Sequence, residues 1–440
     1  MDAVHQEDRS PGAEPGMGGA LFDPSLKGQM PHIYAMMRER EPVSRVPTPD
    51  GRSLWIVSRY DDGLAVLRDY QRFGNDPGRI YSQEQLEQVY APLIEHLSEE
   101  QIARVRQVDE AVSRHLLGVD PPDHSRLRKL VSQSFTPRYV EGLRPRVQAI
   151  ADELLDGLAA RSRAGEAVLD LVDGFAFPLP LTVIAEMLGV PVDMREKFKV
   201  WSTAAVGFDP THPGDPALND VLFEFVEYIR WMIAEKRVRP ADDLLSGLVI
   251  AEEEGDRLTE PELVAMAFLL IVAGHETTVN LIGNAMVLLS DHPDQRAMLA
   301  ADPGLARNAV EEVLRHTGPV EHSISRWVRE PAEIAGQAVG VGDQVIVVLA
   351  SGNRDPRQFP DPDRFDITRE PGRHLAFGMG IHACLGAPLA RIEGQIALNS
   401  LLARFPDVRL AAPSSELVWR PGSLIHGYVA LPVALGPSAA

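Results

Sequence analysis

The chain has 440 residues, of which 43 are Lys or Arg and 63 are Asp or Glu, so it carries a formal net charge of −20. Its hydrophobic content of 45% supplies a large core, which excludes a disordered chain. The acidic balance argues against nucleic-acid binding, which usually leaves a basic surface. The single cysteine, Cys384, excludes a disulfide framework, a four-cysteine zinc site and an iron–sulfur cluster held by the chain's own thiolates.

The composition of the N-terminal region indicates at which residue the folded domain begins. Residues 1–20 are rich in Gly, Pro and acidic side chains and contain no apolar segment of the kind that a signal peptide needs. We expect residues 1–22 to form a disordered lead. A single domain is expected over residues 23–437, because no repeat and no Gly/Ser linker divides them. These features and the lone thiol indicate a cytoplasmic protein.

The first half of the chain is predicted to be mostly helical. Its one clear strand is SLWIVS, at residues 53–58, and residues 82–118 are polar and helix-prone. Prolines 137 and 145 interrupt one long helical pattern. The predicted helices are 31–38, 60–68, 125–161 with these two breaks, 181–188 and 222–236.

The longest predicted helix runs from Leu263 to Ser290, with Thr259 as its N-cap and Glu262 at the capping-box position. It is long enough to span a membrane, which takes about 20 residues. However, His275 and Glu276 lie at its middle, where a charge would be most costly in lipid. We therefore predict a core helix and no membrane anchor.

The remaining elements complete the predicted fold class. Residues 303–316 and 385–405 predict helices, residues 323–349 predict Val- and Ile-rich strands, and residues 353–371 are irregular. The C-terminal segment LIHGYVALPVAL predicts a strand. The expected architecture is mainly α with a smaller β region.

The segment FGMGIHACLG, residues 377–386, surrounds the only cysteine. Glycines before Cys384 permit a tight turn, and the predicted helix after it would place the sulfur at a helix N-terminus, where a thiolate is stabilised. A buried structural cysteine remains an alternative. The glycine spacing also fits a dinucleotide loop, but no clear strand precedes it and it lies outside any βαβ unit.

This segment resembles the haem-ligand loop of the cytochromes P450, with the pattern Phe-x-x-Gly-x-x-x-Cys-x-Gly at Phe377, Gly380, Cys384 and Gly386. The resemblance extends from about residue 30 to the end of the chain. It implies one large triangular-prism domain with a long central helix. It also implies that Cys384 is the thiolate ligand of haem b, that Phe377 packs beside the sulfur, and that both glycines let the loop pass under the ring.

The centre of the long helix carries the polar segment Ala273–Thr278. A hydroxyl at Thr277 can bond the Ala273 carbonyl and widen the helix locally, leaving room for water or O₂. A kink filled by buried water is the alternative. The segment resembles the family's acid–alcohol pair, which implies that Glu276 and Thr277 deliver protons during O₂ reduction, while Ala273 lines the haem and substrate space.

Two further groups of residues are assigned by the resemblance. Glu312 and Arg315 lie one helical turn apart and, with Arg364, form the family's structural network behind the haem loop. Alone, such a pair is more often a solvated surface pair. The haem propionates are assigned to His124, Arg128, Arg326 and His382; singly, each is more often a surface residue or a satisfied core histidine. His382 and Cys384 could suggest zinc, but two further ligands are not evident nearby.

The resemblance also indicates a substrate pocket and a partner. The pocket positions are mostly aliphatic, which favours a lipophilic substrate; they are Val89, Leu93, Phe268, Leu270, Ala273, Val320, Ile324, Leu424 and Ile425. Because the chain has no convincing flavin or nucleotide loop, electrons are expected from NAD(P)H through a reductase and a ferredoxin or flavodoxin. That protein would dock on a positive patch on the cysteine face, formed by Arg126, Lys129, Arg369 or Arg373.

The resulting hypothesis is a bacterial-type haem-thiolate monooxygenase. It would hydroxylate or epoxidise a polyketide, terpenoid or steroid. A haem protein that senses or stores a ligand would also use Cys384 but would not need Glu276 and Thr277. A peroxide-fed variant of the same scaffold is disfavoured, because it typically replaces that pair.

Overall fold

The structure is a computed structural model that describes residues 17–47, 53–94, 97–206, 216–253 and 258–436. Most of these residues lie in helices, and the strands form small sheets, so the predicted mainly α fold with a smaller β region is confirmed. The α-helices are α1 Met30–Arg40, α2 Tyr60–Arg68, α3 Gln83–Ile94, α4 Glu99–Ser113, α5 Asp123–Ser134, α6 Pro137–Gly142, α7 Arg144–Arg163, α8 Pro178–Met187, α9 Arg195–Val206, α10 Pro216–Val238, α11 Leu244–Glu253, α12 Glu260–Asp291, α13 Pro293–Ala301, α14 Ala306–Thr317, α15 Leu349–Gly352 and α16 Ala387–Arg404.

Proline punctuates the helices where the sequence predicts it. Helix α5 ends at Ser134, α6 begins on Pro137, and Pro145 is the second residue of α7. A proline in the first turn costs little, because its missing N–H would have no helical partner there. Helices α9, α11 and α13 were not among the predicted elements.

Helix α12 is the predicted long helix and passes through the protein interior. Both bonds of the capping box between Thr259 and Glu262 are present. The helix packs against α4, α8, α10 and α16. Among the described residues it is long and apolar enough to cross a membrane, but 67% of its most apolar window is buried inside the protein. It is therefore a core helix, as predicted.

The strands form three sheets. The largest has five strands in the order β1-β2-β8-β5-β3, with β2 and β8 parallel and the other neighbours antiparallel. A second sheet has the order β4-β10-β9, and β6 pairs with β7. The strands are β1 Val43–Pro47, β2 Ser53–Val57, β3 Phe73–Gly74, β4 Leu169–Asp170, β5 Arg326–Val328, β6 Ala332–Ile334, β7 Gln337–Val339, β8 Gln344–Val347, β9 Arg409–Leu410 and β10 Pro432–Ala434.

The N-terminal boundary needs a correction. A 3₁₀ helix spans Met17–Phe22, and a second spans Pro24–Gln29. Leu21 is buried in a cluster with Met30 and Ile33 of α1. Residues 17–22 are therefore folded, because this apolar contact orders them, and the part of the predicted lead at residues 1–16 lies outside the described residues.

Candidate active site

The cysteine loop is held by backbone contacts. Gly378 and Gly380 have φ values of +64° and +77°, a region that favours glycine. A Cβ at Gly380 would lie 2.5 Å from the Leu67 carbonyl oxygen. The backbone N–H of Cys384 donates to the Phe377 carbonyl at 2.8 Å. Helix α16 begins at Ala387, two residues later than predicted.

The sulfur of Cys384 is accessible, yet protein groups surround it. Burial raises the pKa of the thiol, while the backbone N–H groups of Gly386 and Ala387 and the charges of Arg128 and Arg391 act in the opposite direction. Hydrogen bonds and positive charge favour the thiolate form. The sulfur can therefore act as a metal ligand.

A charged group behind the loop supports Phe377. The Arg391 guanidinium lies 4.5 Å from the centre of the Phe377 ring. Arg391 also donates two hydrogen bonds to Glu311, at 2.5 and 2.9 Å, and His374 Nε2 lies 3.0 Å from the same carboxylate. Although burial raises the pKa of Glu311, these hydrogen bonds hold it at about 2. The sequence analysis did not identify Glu311, His374 or Arg391.

The four predicted propionate residues form a cluster of basic side chains. The rings of His124 and His382 are 4.4 Å apart. Burial, together with the charges of Arg326, His124 and Arg128, lowers the pKa of His382 to about 3. Burial also lowers the pKa of Arg326 to about 10.

Four buried nitrogen atoms in this cluster have no hydrogen-bond partner within the described part of the chain: His124 Nε2, Arg326 Nε, and both ring nitrogens of His382. Buried donors are normally satisfied, so unpaired ones beside several positive charges indicate an anionic ligand. A ligand that carries carboxylates could bind these basic side chains and at the same time reach the accessible thiol of Cys384. The residues present therefore fit haem.

The central segment of α12 exposes a narrow strip within an otherwise buried helix. Ala273 is exposed, and Leu270, Gly274 and Thr277 are half-buried. Thr277 Oγ1 donates to the Ala273 carbonyl at 2.9 Å, as predicted. The helix remains α-helical throughout, so the predicted local widening is not observed.

Glu276 points away from this strip and is buried. Arg420 Nη1 lies 2.6 Å from Glu276 Oε1, and Asn280 Nδ2 donates to the same oxygen at 3.0 Å. The side chain of Glu276 is only 4% exposed. The sequence analysis did not identify Arg420, which lies far along the chain.

A second buried acid, Glu393 of α16, lies beside α12 and was also missed. Burial raises its pKa to about 8, with an opposing hydrogen bond from Thr278. Its Oε2 atom has no partner among the described residues. A carboxyl group in this setting is neutral over most of the physiological pH range.

The predicted structural network is present with one correction. Arg315 donates to both carboxylate oxygens of Glu312 at 2.8 Å, and both side chains are buried. Arg364 contributes only its carbonyl, at 3.3 Å from Arg315, while its own side chain is 67% exposed and pairs with Asp366. The second arginine that binds Glu312 is Arg369, whose Nε atom lies 3.2 Å from Glu312 Oε1.

The proposed docking patch also changes. Arg369 is taken up by the Glu312 network, and Arg126 forms an ion pair with Glu262. Lys129 and Arg373 are exposed. Arg126 and Arg369 therefore serve contacts within the protein, because buried carboxylates lie within their reach.

The predicted pocket residues fall into three groups. Leu270, Val320, Ile324 and Ile425 are half-buried, and Leu424 is 38% exposed. Phe268 instead packs on the Phe225 ring, 5.7 Å between centroids, so it is corrected to a core residue. Val89 and Leu93 lie on α3, but their side chains are outside the described residues.

Comparison with known proteins adds the family. A family model described as cytochrome P450 matches residues 216–302 and 304–411. The chain is 46% identical over 418 residues to Cytochrome P450 107B1 of Saccharopolyspora erythraea, covering 94% of this chain and 97% of that protein. It is also 46% identical over 402 residues to Cytochrome P450 monooxygenase PikC of Streptomyces venezuelae, covering 91% and 89%. The solved structure of PksS from Bacillus subtilis 168, a bacillaene polyketide synthase cytochrome P450, has a TM-score of 0.84 and 38% identity, over 95% of this chain and 99% of that chain.

These similarities span nearly the whole chain. They agree with the accessible thiol and the basic side chains near it, and together these findings define the class of protein as a haem-thiolate oxygenase. The chain belongs to the cytochrome P450 family, and the resemblance noted in the sequence is confirmed. It is a monooxygenase that uses haem-thiolate chemistry and O₂ on a small molecule, with electrons from a separate redox partner.

Glu393 predicts how stability depends on pH. Because its pKa is raised to about 8 from the ordinary 4.5, the folded protein holds a proton that the unfolded chain releases between these values. The free energy of unfolding therefore falls as pH rises through this window. Glu393→Gln should remove this contribution, which is on the order of a few kcal/mol.

Denaturant unfolding of the full protein across that pH window measures the effect. The exposed Glu99 provides the control, since Glu99→Gln should leave the pH dependence unchanged. Equal pH dependence in the parent and Glu393→Gln proteins would contradict the assignment.

Proposed function

We propose that this monooxygenase hydroxylates or epoxidises a lipophilic polyketide or macrolide, with terpenoids and steroids as further candidates. The observations that carry this proposal are the accessible thiol of Cys384, the accessible strip of α12 and the partly exposed aliphatic side chains at the predicted pocket positions Leu270, Val320, Ile324 and Ile425. The relative PikC, a monooxygenase, supports the reaction, and PksS, a polyketide synthase cytochrome P450, supports the substrate class.

The cysteine loop is proposed to hold haem b. When bound, the haem supplies O₂ activation at an iron atom whose thiolate ligand donates electron density. Cys384 provides that thiolate, and the N–H groups of Gly386 and Ala387 stabilise its charge. Phe377 shields the sulfur, and Gly380 lets the loop approach Leu67.

The basic cluster is proposed to bind the haem propionates. His124, Arg128, Arg326 and His382 lie together, and four of their nitrogen atoms lack a partner within the described part of the chain. Charge-assisted hydrogen bonds from these groups would satisfy both the carboxylates and the unpaired donors. Ala273, which is exposed on α12, would line the haem and substrate space.

Glu276 and Thr277 are proposed to control protons during O₂ reduction. Thr277 Oγ1 lies on the accessible strip, where it can pass or hold a proton. Glu276 lies one residue earlier, buried and held by Arg420 and Asn280. A positioned acid next to a hydroxyl can supply protons in a controlled order.

Electrons are proposed to come from NAD(P)H through a reductase and a ferredoxin or flavodoxin in the cytoplasm. Among the basic residues assigned to the docking patch, Lys129 and Arg373 have exposed side chains. Local positive charge on a molecule with net charge −20 would steer a small acidic partner. We also propose that the described residues from 23 onward form a single haem domain.

The propionate assignment predicts weaker haem retention in Arg128→Ala and Arg326→Ala, and more so in the double variant, with thiolate ligation kept. Hydrogen bonds to charged groups contribute about 1.5–3 kcal/mol, so haem loss should be roughly tenfold faster or more. The measurement is haem transfer to apomyoglobin, followed by absorbance.

Arg404 provides the control, because it pairs with Asp156 at the protein surface. Arg404→Ala should retain haem like the parent protein. Unchanged haem transfer in the double variant would return Arg128 and Arg326 to ordinary structural or surface roles.

If Thr277 controls protons, its loss should uncouple reductant consumption from product formation. Thr277→Ala should still bind substrate and consume reductant, but product should fall several-fold and hydrogen peroxide should account for the difference, because protons no longer arrive in order. Thr277→Ser, which keeps the hydroxyl, should stay close to the parent protein. The measurement is product and peroxide formed per reductant consumed, with the best binder from a panel of macrolides, terpenoids and steroids.

Full coupling in Thr277→Ala would overturn this role. The hydroxyl would then be only a partner for the Ala273 carbonyl. A protein that bound the panel compounds but formed no product with any redox partner would instead favour a ligand-sensing haem protein.

A further inference from the structure

A hairpin near the C-terminus connects the substrate side of the protein with Glu276. Trp419 and Tyr428 pair as a β-bridge, and the N–H of Arg420 donates to the Gly427 carbonyl at 2.9 Å. The N–H of Val429 donates to the Val418 carbonyl at 2.9 Å. We refer to residues 418–429 as the C-terminal hairpin.

The base of the hairpin is fixed to α12. Arg420 Nη1 pairs with Glu276 Oε1 at 2.6 Å, and its Nε donates to the Tyr428 carbonyl at 3.2 Å. Asn280 lies so close to Gly427 that a Cβ there would be 1.8 Å from the Asn280 side-chain oxygen. A larger residue at this position would require the Asn280 side chain or the hairpin to move.

The tip of the hairpin is fixed by Lys27 of the N-terminal 3₁₀ segment. Lys27 Nζ donates to the carbonyls of Arg420, Gly422 and Ile425 at 2.7, 2.9 and 2.8 Å. An ammonium group has three N–H donors, so all of them are used on this one turn. Lys27 is 7% exposed, which places its charge inside the protein.

Glu321 holds the same turn from a third side. It accepts a hydrogen bond from the Tyr34 hydroxyl at 2.6 Å, and its other carboxylate oxygen contacts Nδ1 of His426. The neighbouring residue Val320 pairs with Ile425 as a β-bridge. The predicted pocket residues Val320 and Ile425 are therefore attached to the same fixed turn.

We propose that Arg420 is a positioning residue for Glu276, and that Lys27 fixes Arg420 by binding its carbonyl. The proposal rests on the proposed role of Glu276 in proton control. Arg420 compensates the buried carboxylate and fixes its direction, because a buried charge that loses its partner is strongly destabilised. Since the hairpin also carries Ile425, the geometry of the substrate pocket and that of the proton donor depend on one rigid element.

The first test is Arg420→Gln, with Arg420→Lys as the conservative variant. Turnover should fall at least about tenfold. Positioned proton transfer contributes roughly a hundredfold or more to a reaction rate, and loss of Arg420 should remove part of that contribution. The solvent deuterium isotope effect on turnover should rise, because proton supply becomes slower. Arg420→Lys should restore part of the rate. Arg195→Gln is the matched control, since Arg195 also pairs with a glutamate, Glu186, remote from the hairpin.

The second test is Lys27→Met, which leaves Arg420 and Glu276 intact. Amide hydrogen exchange of the hairpin, notably at Arg420 and Val429, should accelerate, and the isotope effect should rise less than in Arg420→Gln. Lys236→Met is the matched control, because Lys236 is another mostly buried lysine that pairs with Asp243. If Arg420→Gln does not fold, Lys27→Met and Arg420→Lys carry the test.

A double variant separates the proposal from the proposed function. If Arg420 acts through Glu276, adding Arg420→Gln to Glu276→Gln should cause no further loss of turnover. Independent, additive losses, or an unchanged isotope effect in both Arg420→Gln and Lys27→Met, would overturn the positioning role alone. A Glu276→Gln protein with normal turnover and isotope effect would overturn the role of Glu276 and this proposal with it.

Discussion

The backbone N–H of Cys384 donates to the Phe377 carbonyl, while the sulfur faces the N–H groups of Gly386 and Ala387. This arrangement keeps a thiol accessible within the protein, and the two N–H groups oppose the rise in the thiol pKa that burial causes. Much of the surrounding structure supports it. Gly380 allows the loop to pass against Leu67, where a Cβ would collide with a carbonyl oxygen.

Buried charges support this loop and the helix opposite. Behind the loop, Glu311 binds Arg391 and Glu312 binds Arg315. On α12, Arg420 binds Glu276. In each case removing one partner would leave a buried charge uncompensated, which is costly. The basic cluster around His124 and Arg326 differs, because several of its buried nitrogen atoms have no partner among the described residues and are available to an anion from outside the chain.

The sequence predicted best those features that depend on neighbouring residues. The capping box at Thr259, the bond from Thr277 to Ala273 and the pair Glu312–Arg315 all lie within one or two helical turns. Local spacing determines such contacts. The same holds for the glycine loop before Cys384.

Contacts between distant segments were not predictable in this way. Lys27 binds a carbonyl 393 residues away, and Arg391 binds Glu311 80 residues away. Arg369 replaces Arg364 at Glu312 because the irregular segment turns its side chain inward, and spacing alone does not determine that turn. Phe268 likewise depends on a distant segment, because it packs on Phe225 of α10. The position of α10 therefore determines which face of α12 is covered.

Ligation of haem iron by the Cys384 thiolate is the central claim, and the absorption spectrum of the reduced carbon monoxide complex tests it most directly. The full-length protein should show the strongly red-shifted Soret band of thiolate ligation, and Cys384→Ser should lose that band. A histidine-type spectrum in the unsubstituted protein, or an unchanged band in Cys384→Ser, would contradict the account.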